Sequence, residues 1–196
     1  AFDRASTLAW THAQVKLHYL GITGSEAQIF QQLASRVLYS NAMLRAPRDV
    51  LQGNRLAVSE LWKFGISGDR PILLARIEDG ANIGVIRQLL TAHEYLHVKR
   101  LGIDLVILNE QATSYAEGLQ EDLEMRVRES NARMGHEDSG GRGAIYVLRA
   151  DLLSEDEQAL LLTAARVVVA CRQGSLSAHL AMRPRDPVPH VRPRVR

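Results

Sequence analysis

The residues whose types and spacing most resemble a chemical site are His93-Glu94-Tyr95-Leu96-His97. Positions four apart on a helix project from the same side, so two imidazoles can share one zinc ion while the intervening glutamate activates a water. A catalytic zinc needs a further protein ligand, and Glu117 and Glu121 stand at helical spacing downstream. Three features oppose this reading. On a helical wheel His93 falls inside the stripe made by Val85, Ile86, Leu89, Leu90 and Leu96, so it faces a core. An apolar strand-like run, Asp104–Asn109, separates this helix from the one that bears Glu117. The pattern is also short enough to recur by chance. The reading taken is a buried, hydrogen-bonded His93 with His97 at the helix edge; a zinc metallohydrolase is the alternative.

Other stretches invite chemistry and are weaker. Gly65-Ile66-Ser67-Gly68-Asp69 and Gly140-Gly141-Arg142-Gly143 are glycine-rich, but both precede strands. A phosphate cradle follows a strand and opens a helix, so both read as turns. The carboxyl ends of the expected strands carry Glu78, Asp79, Glu110 and Asp151. Such a cluster repels phosphate and could take sugar hydroxyls or a hard cation, giving a carbohydrate-binding module as another alternative. The competing reading is solvated loop acids near helix N-termini. Cys171 reads as a small core residue. No catalytic, cofactor-binding or metal-binding residue is assigned, and no cofactor is expected.

Periodicity places these residues on elements. Trp10, Ala13, Leu17 and Leu20 share one helical face that stops at Gly21. Ser25 and Gln28 have capping-box spacing, followed by the stripe Phe30, Leu33, Ala34, Val37 and Leu38. Two such helices must pack on each other, on the rest of the chain or on something beyond it. Residues 47–54 read as a connector with a short helical turn. Strands are expected at Ile72–Ile77, Asp104–Asn109 and residues 144–148. Helices are expected over residues 82–101, ended by Gly102; from Ser114, capped with Glu117; from Ser154, capped with Glu157, to about Cys171; and over residues 175–182. Short continuous apolar strands alternating with helices imply a parallel sheet covered on both faces. The fold class is α/β: a small three-stranded, doubly wound, Rossmann-like sheet with an N-terminal helical arm, its strand order open between 2-1-3 and 3-2-1.

The chain has 196 residues and a formal net charge of +2. That positive balance comes from residues 183–196, which hold five Arg, one Asp and four of the six Pro. The remainder is mildly acidic, so no nucleic-acid surface is expected. Arginines spaced by prolines read as a linker and not as a membrane anchor. No apolar run is long enough to span a bilayer. The start lacks a secretory leader and an initiator Met, consistent with a piece of a longer protein. One cysteine cannot form an internal disulfide, in keeping with a reducing compartment. The expected division is 1–54 helical arm and linker, 55–182 α/β module, and 183–196 Pro/Arg-rich linker tail.

LAWTHAQVKLHYLGIT (from Leu8), FQQLASRVLY (from Phe30), LWKFGISGDRPILLARI (from Leu61), RQLLTAHEYLHVKRLGIDLVILNE (from Arg87) and LLSEDEQALLLTAARVVV (from Leu152) carry a family resemblance. The chain, up to about Leu180, resembles the cyclic β-1,2-glucan synthetases, large bacterial inner-membrane enzymes that build cyclic glucans from UDP-glucose. Their C-terminal half is similar to cellobiose and chitobiose phosphorylases. The resemblance implies a non-catalytic connecting module between carbohydrate-processing regions, on the cytoplasmic side of the inner membrane. No residue matches either catalytic motif of the family. The expected partners are neighbouring domains of the same polypeptide, with β-glucan as a further candidate, and without membrane insertion. Self-association through the N-terminal helices is a further expectation.

Overall fold

The computed structural model describes residues 21–39, 41–134 and 143–181. Its centre is a parallel sheet of four strands, one more than expected, in the order β3-β2-β1-β4. The strands are β1 (Ile72–Ile77), β2 (Asp104–Asn109), β3 (Ile145–Arg149) and β4 (Ala165–Ala170). Helix α3 (Ile83–Val98) joins β1 to β2, and α4 (Thr113–Met134) joins β2 to β3. Helix α5 (Glu155–Ala164) then carries the chain back past β1 to β4. The strand order 3-2-1 is therefore the correct one of the two alternatives, extended by β4 on the far side of β1.

Alternation along each strand divides the side chains between two cores. Leu73, Ala75, Ile77, Leu105, Ile107, Val167 and Val169 face one layer, built by α3, α4 and α1 (Gly24–Leu38). Ile72, Leu74, Val106, Leu108 and Ala165 face the other, roofed by α5 and by Leu61 and Ile66 from the 3₁₀ segment and turn ahead of β1. Both central strands are sealed on both faces, which accounts for their unbroken apolar sequences.

Helix α1 is an integral layer of this module. Phe30, Leu33 and Val37 are buried in the first core, and the Phe30 ring lies 5.7 Å from that of Tyr95. Its capping box is Thr23 with Glu26, two residues before the expected Ser25 and Gln28. Helix α4 begins at Thr113, ahead of the expected cap at Ser114. The Ser154–Glu157 box on α5 is as expected. The connector contains α2 (Arg48–Gly53), and α6 (Leu176–Leu180) closes the described chain. The expected helix around Trp10, the 183–196 tail and Gly140 to Arg142 lie outside the described residues.

Two helices end differently from expectation. Helix α5 stops at Ala164, and the segment to Ala170, expected to be helical, forms β4. Val167, Val168 and Val169 are β-branched and lose less freedom in a strand than in a helix. A register shift between Ile72 and Leu73 leaves Arg166 unpaired and exposed, so Ala165 and Val167 face opposite cores. Arg45 donates to the Thr163 carbonyl at 2.8 Å, satisfying an end group that a glycine stop would otherwise manage. Helix α3 ends at Val98, before Gly102. Arg100 has φ of 59°, and Leu101 N–H donates to the Leu96 carbonyl at 2.9 Å. With Arg100 N–H on the His97 carbonyl, this is a Schellman turn with arginine in the left-handed position.

At the start of β3 the backbone passes so close to Ile103 that a Cβ on Gly143 would overlap the Ile103 carbonyl oxygen. Asp104, almost fully buried, accepts the Ala144 N–H at 2.9 Å and ties the same edge together.

Arg100→Gly removes the left-handed Cβ penalty at a turn already formed. It should raise stability by about 0.5–1 kcal/mol, the gain being reduced by the added freedom of the unfolded chain. Thermal unfolding of the two proteins checks this; an unchanged or lowered midpoint contradicts it.

Candidate functional site

The HEYLH segment occupies the last turns of α3, and its members are held by different parts of the fold. His93 is 3 % exposed and its Nε2 lies 2.9 Å from the Ile103 carbonyl oxygen. Since that oxygen only accepts, Nε2 carries the hydrogen and donates. The other ring nitrogen, Nδ1, is buried without a hydrogen-bond partner. Burial depresses the His93 pKa below 6.5; the Ile103 bond and the charges of Asp104 and Glu94 oppose the shift, while His97 adds to it. The ring is therefore neutral and turned into the core, as its place on the apolar stripe implies.

Glu94 is also 3 % exposed and faces α4. Its Oε1 accepts from the Ser130 hydroxyl at 2.6 Å and from Arg133 Nη2 at 2.8 Å. This clamp fastens α3 to α4 and was missed in the sequence. Its only signal is the spacing of Ser130 and Arg133 near the end of the stripe that includes Leu123 and Val127. Ser130 is fully buried, so the carboxylate is satisfied from inside the protein. His97 is half-buried at the end of α3, and Glu117 and Glu121 stand on the exposed side of α4. The structure thus separates the residues that a zinc hydrolase would bring together. Among the described residues, no group of three His, Cys, Asp or Glu converges as a metal-binding set.

The acidic ends of the strands are likewise engaged one by one. Arg76 donates to Glu110 Oε1 at 2.8 Å through both Nε and Nη2. Arg172 reaches Glu78 at 3.3 Å, bridging the ends of β4 and β1. Arg149 pairs with Asp151 at 2.7 Å. Asp79 accepts the Ala81 N–H at 2.9 Å and caps the turn before α3. Ligands of doubly wound sheets bind where the strand order reverses, here between β1 and β4. At that point Arg76 and Arg172 already neutralise the carboxylates that would receive a cation, so the expected acid cluster is a set of local pairs. Cys171, at the same end, is buried, and desolvation pushes its thiol up to about 12, leaving it an unreactive core residue. The Gly65–Asp69 stretch forms a turn before β1, as expected. No helix among the described residues is long and apolar enough to cross a membrane.

No family model matches the chain. It is, however, 37 % identical over 180 residues to the cyclic β-(1,2)-glucan synthase NdvB of Rhizobium meliloti strain 1021. The chain matches a segment of a glucan synthase. The aligned region covers 92 % of this chain and 6 % of that relative, so the similarity spans a small part of a much larger protein. The resemblance read from the sequence is thereby shown along nearly the whole chain.

Two outcomes follow from the buried pair. Between the depressed folded pKa of His93 and its ordinary value, the unfolded chain binds a proton that the folded chain refuses. Stability is therefore fully present above about pH 6.5 and falls as pH drops below it, by at most about 1.4 kcal/mol per pH unit from this group. His93→Gln keeps a donor for Ile103, and denaturant unfolding from pH 7.5 to 5 should show a shallower slope than wild type; an equal slope excludes His93 as the source. Glu94→Ala leaves Ser130 and Arg133 without their acceptor. The expected loss is about 2–3 kcal/mol, below the ~3–5 of a fully buried pair, because Arg133 is half-exposed and regains water. Glu94→Gln, which retains an acceptor for Ser130, should lose less in the same measurement.

Proposed function

We propose that this chain is a non-catalytic connecting module of a cyclic β-1,2-glucan synthase. The larger protein would transfer glucosyl units from UDP-glucose and process the glucan on the cytoplasmic side of a bacterial inner membrane. The module would space and orient the carbohydrate-processing regions on either side, with neighbouring domains of the same polypeptide as its partners. The observation that carries this reading is the internal use of its chemical-looking groups. His93 donates into the backbone, Glu94 clamps two helices, and Glu78, Glu110 and Asp151 are each paired with an arginine. A general acid or base must reach a substrate proton; the buried His93 and Glu94 are enclosed away from one, and the acids at the strand ends are already held by arginines. The similarity to a segment of NdvB supports the assignment to a glucan-making protein.

The purified chain, incubated with UDP-glucose or with phosphate and linear β-1,2-gluco-oligosaccharide, should release no UDP, glucan or sugar phosphate above the blank. Measurable turnover, abolished by a single substitution in the chain, overturns the connecting role.

A further inference from the structure

We propose that the surface around Trp62 is a saccharide-binding platform that takes a segment of β-linked glucan. The proposal rests on the glucan-synthase reading above and adds a ligand site that the reading does not contain. Trp62 lies on the 3₁₀ segment Val58–Phe64, ahead of β1 and far from the HEYLH helix end in sequence. Its side chain is 67 % exposed, an unusual placement for the largest apolar residue. The ring is nonetheless held, because its indole Nε1–H donates to the Ser67 carbonyl at 3.1 Å. A pinned aromatic face open to solvent offers contact area with little left to order on binding.

Beside the ring is a depression of about 320 Å³, lined by Trp62, Gly65, Ile66, Ser67 and Asp69. This lies at the small end of the ~300–1,000 Å³ range of ligand sites. The turn that forms it is rigidly specified. Gly65 and Gly68 have φ of 75° and 79°, and a Cβ on Gly68 would come within 2.5 Å of Val58 Cγ1. The Tyr146 hydroxyl donates to the Gly65 carbonyl at 3.1 Å and anchors the turn to β3.

The polar groups on the rim decide the kind of ligand. The Ser67 hydroxyl oxygen accepts the Asp69 N–H at 3.3 Å, which leaves its own hydrogen available to donate. The Asp69 carboxylate is exposed, and no salt bridge or hydrogen bond engages it among the described residues. An apolar protein surface pressed onto Trp62 would bury this carboxylate without a partner, at a cost of several kcal/mol. A β-glucopyranose ring meets both demands. Its axial C–H faces lie flat on an indole, and its equatorial hydroxyls donate to a carboxylate and accept from a serine. One acid with no second ligand does not suit a cation, so the geometry favours a neutral polyol.

The test is heteronuclear NMR of the chain titrated with linear β-1,2-linked gluco-oligosaccharides. Saturable shifts are expected at the Trp62 indole N–H and at the amides of Gly65, Ser67, Gly68 and Asp69. Trp62→Ala should abolish the shifts at the turn, Trp62→Tyr should preserve them at lower affinity, and Asp69→Asn should weaken binding about tenfold. Melting temperatures of the variants confirm that the exposed substitutions leave the fold intact. Absence of saturable shifts up to ~10 mM sugar, shifts confined to another surface, or binding unchanged by Trp62→Ala each overturn the platform. Failure here without turnover in the activity assay leaves the connecting role standing; turnover removes that role whatever Trp62 does.

Discussion

A parallel sheet whose central strands are apolar on both faces cannot stand in water, and that constraint shapes the rest of this protein. Leu73, Leu74, Leu105 and Val106 are wholly buried, although they alternate between opposite sides of the sheet. Each side therefore needs its own roof. One is provided by α1, α3 and α4, the other by α5 and the short segment around Leu61. The reversal of strand order after β3 follows from the same requirement. Continuing β4 beyond β3 with another helix on the first side would have left Ile72, Val106 and Leu108 exposed. Sending α5 across the second side covers them and delivers β4 to the free edge of β1.

The buried polar groups are consequences of this roofing. Two helices laid side by side on an apolar sheet bring together side chains that the wheel alone would leave separate. Glu94 and Ser130 meet where α3 crosses α4, and Arg133 closes over them from the rim. His93 meets the carbonyl of Ile103 because the chain turns back from α3 into β2 directly beneath it. A charge sealed in such a place is stable only when satisfied locally, and the neutral imidazole keeps one of its two nitrogens bonded. What looks like a metal-binding signature is thus the seam between two helices. The same logic neutralises the sheet ends, where arginines on strands and turns face acids on the next connection.

The main elements were legible because their signals are local. The apolar runs of β1, β2 and β3, the Ser154 capping box and the stripe of α3 all lie within a dozen residues, and all three strands were placed to within about a residue. The position of His93 was readable for the same reason, since the stripe around Leu89 and Leu90 fixes which way its ring points. The fourth strand was not. Leu160 to Cys171 contains no glycine or proline, and a capped apolar segment of that length satisfies a helix as well as a helix followed by a strand. Only the vacant edge of β1 distinguishes them, and that edge is formed by residues more than ninety positions earlier in the chain. The end of α3 was misplaced for a related reason. A glycine two residues on is the ordinary stop signal, but the turn closes at Arg100 because Leu101 must pack back on the core.

By itself, then, the amino-acid order determined the α/β class, three of the four strands, the inward-facing imidazole and the resemblance to the glucan synthetases. These rest on periodicity, capping chemistry and extended identity, which are properties of contiguous segments. The tertiary structure alone decided the strand order, the existence of β4, the Glu94–Ser130–Arg133 clamp, the pairing of the strand-end acids and the open face of Trp62. Each depends on which distant residues are brought together and on what remains uncovered, and burial of that kind is a property of the packed whole that no local pattern encodes.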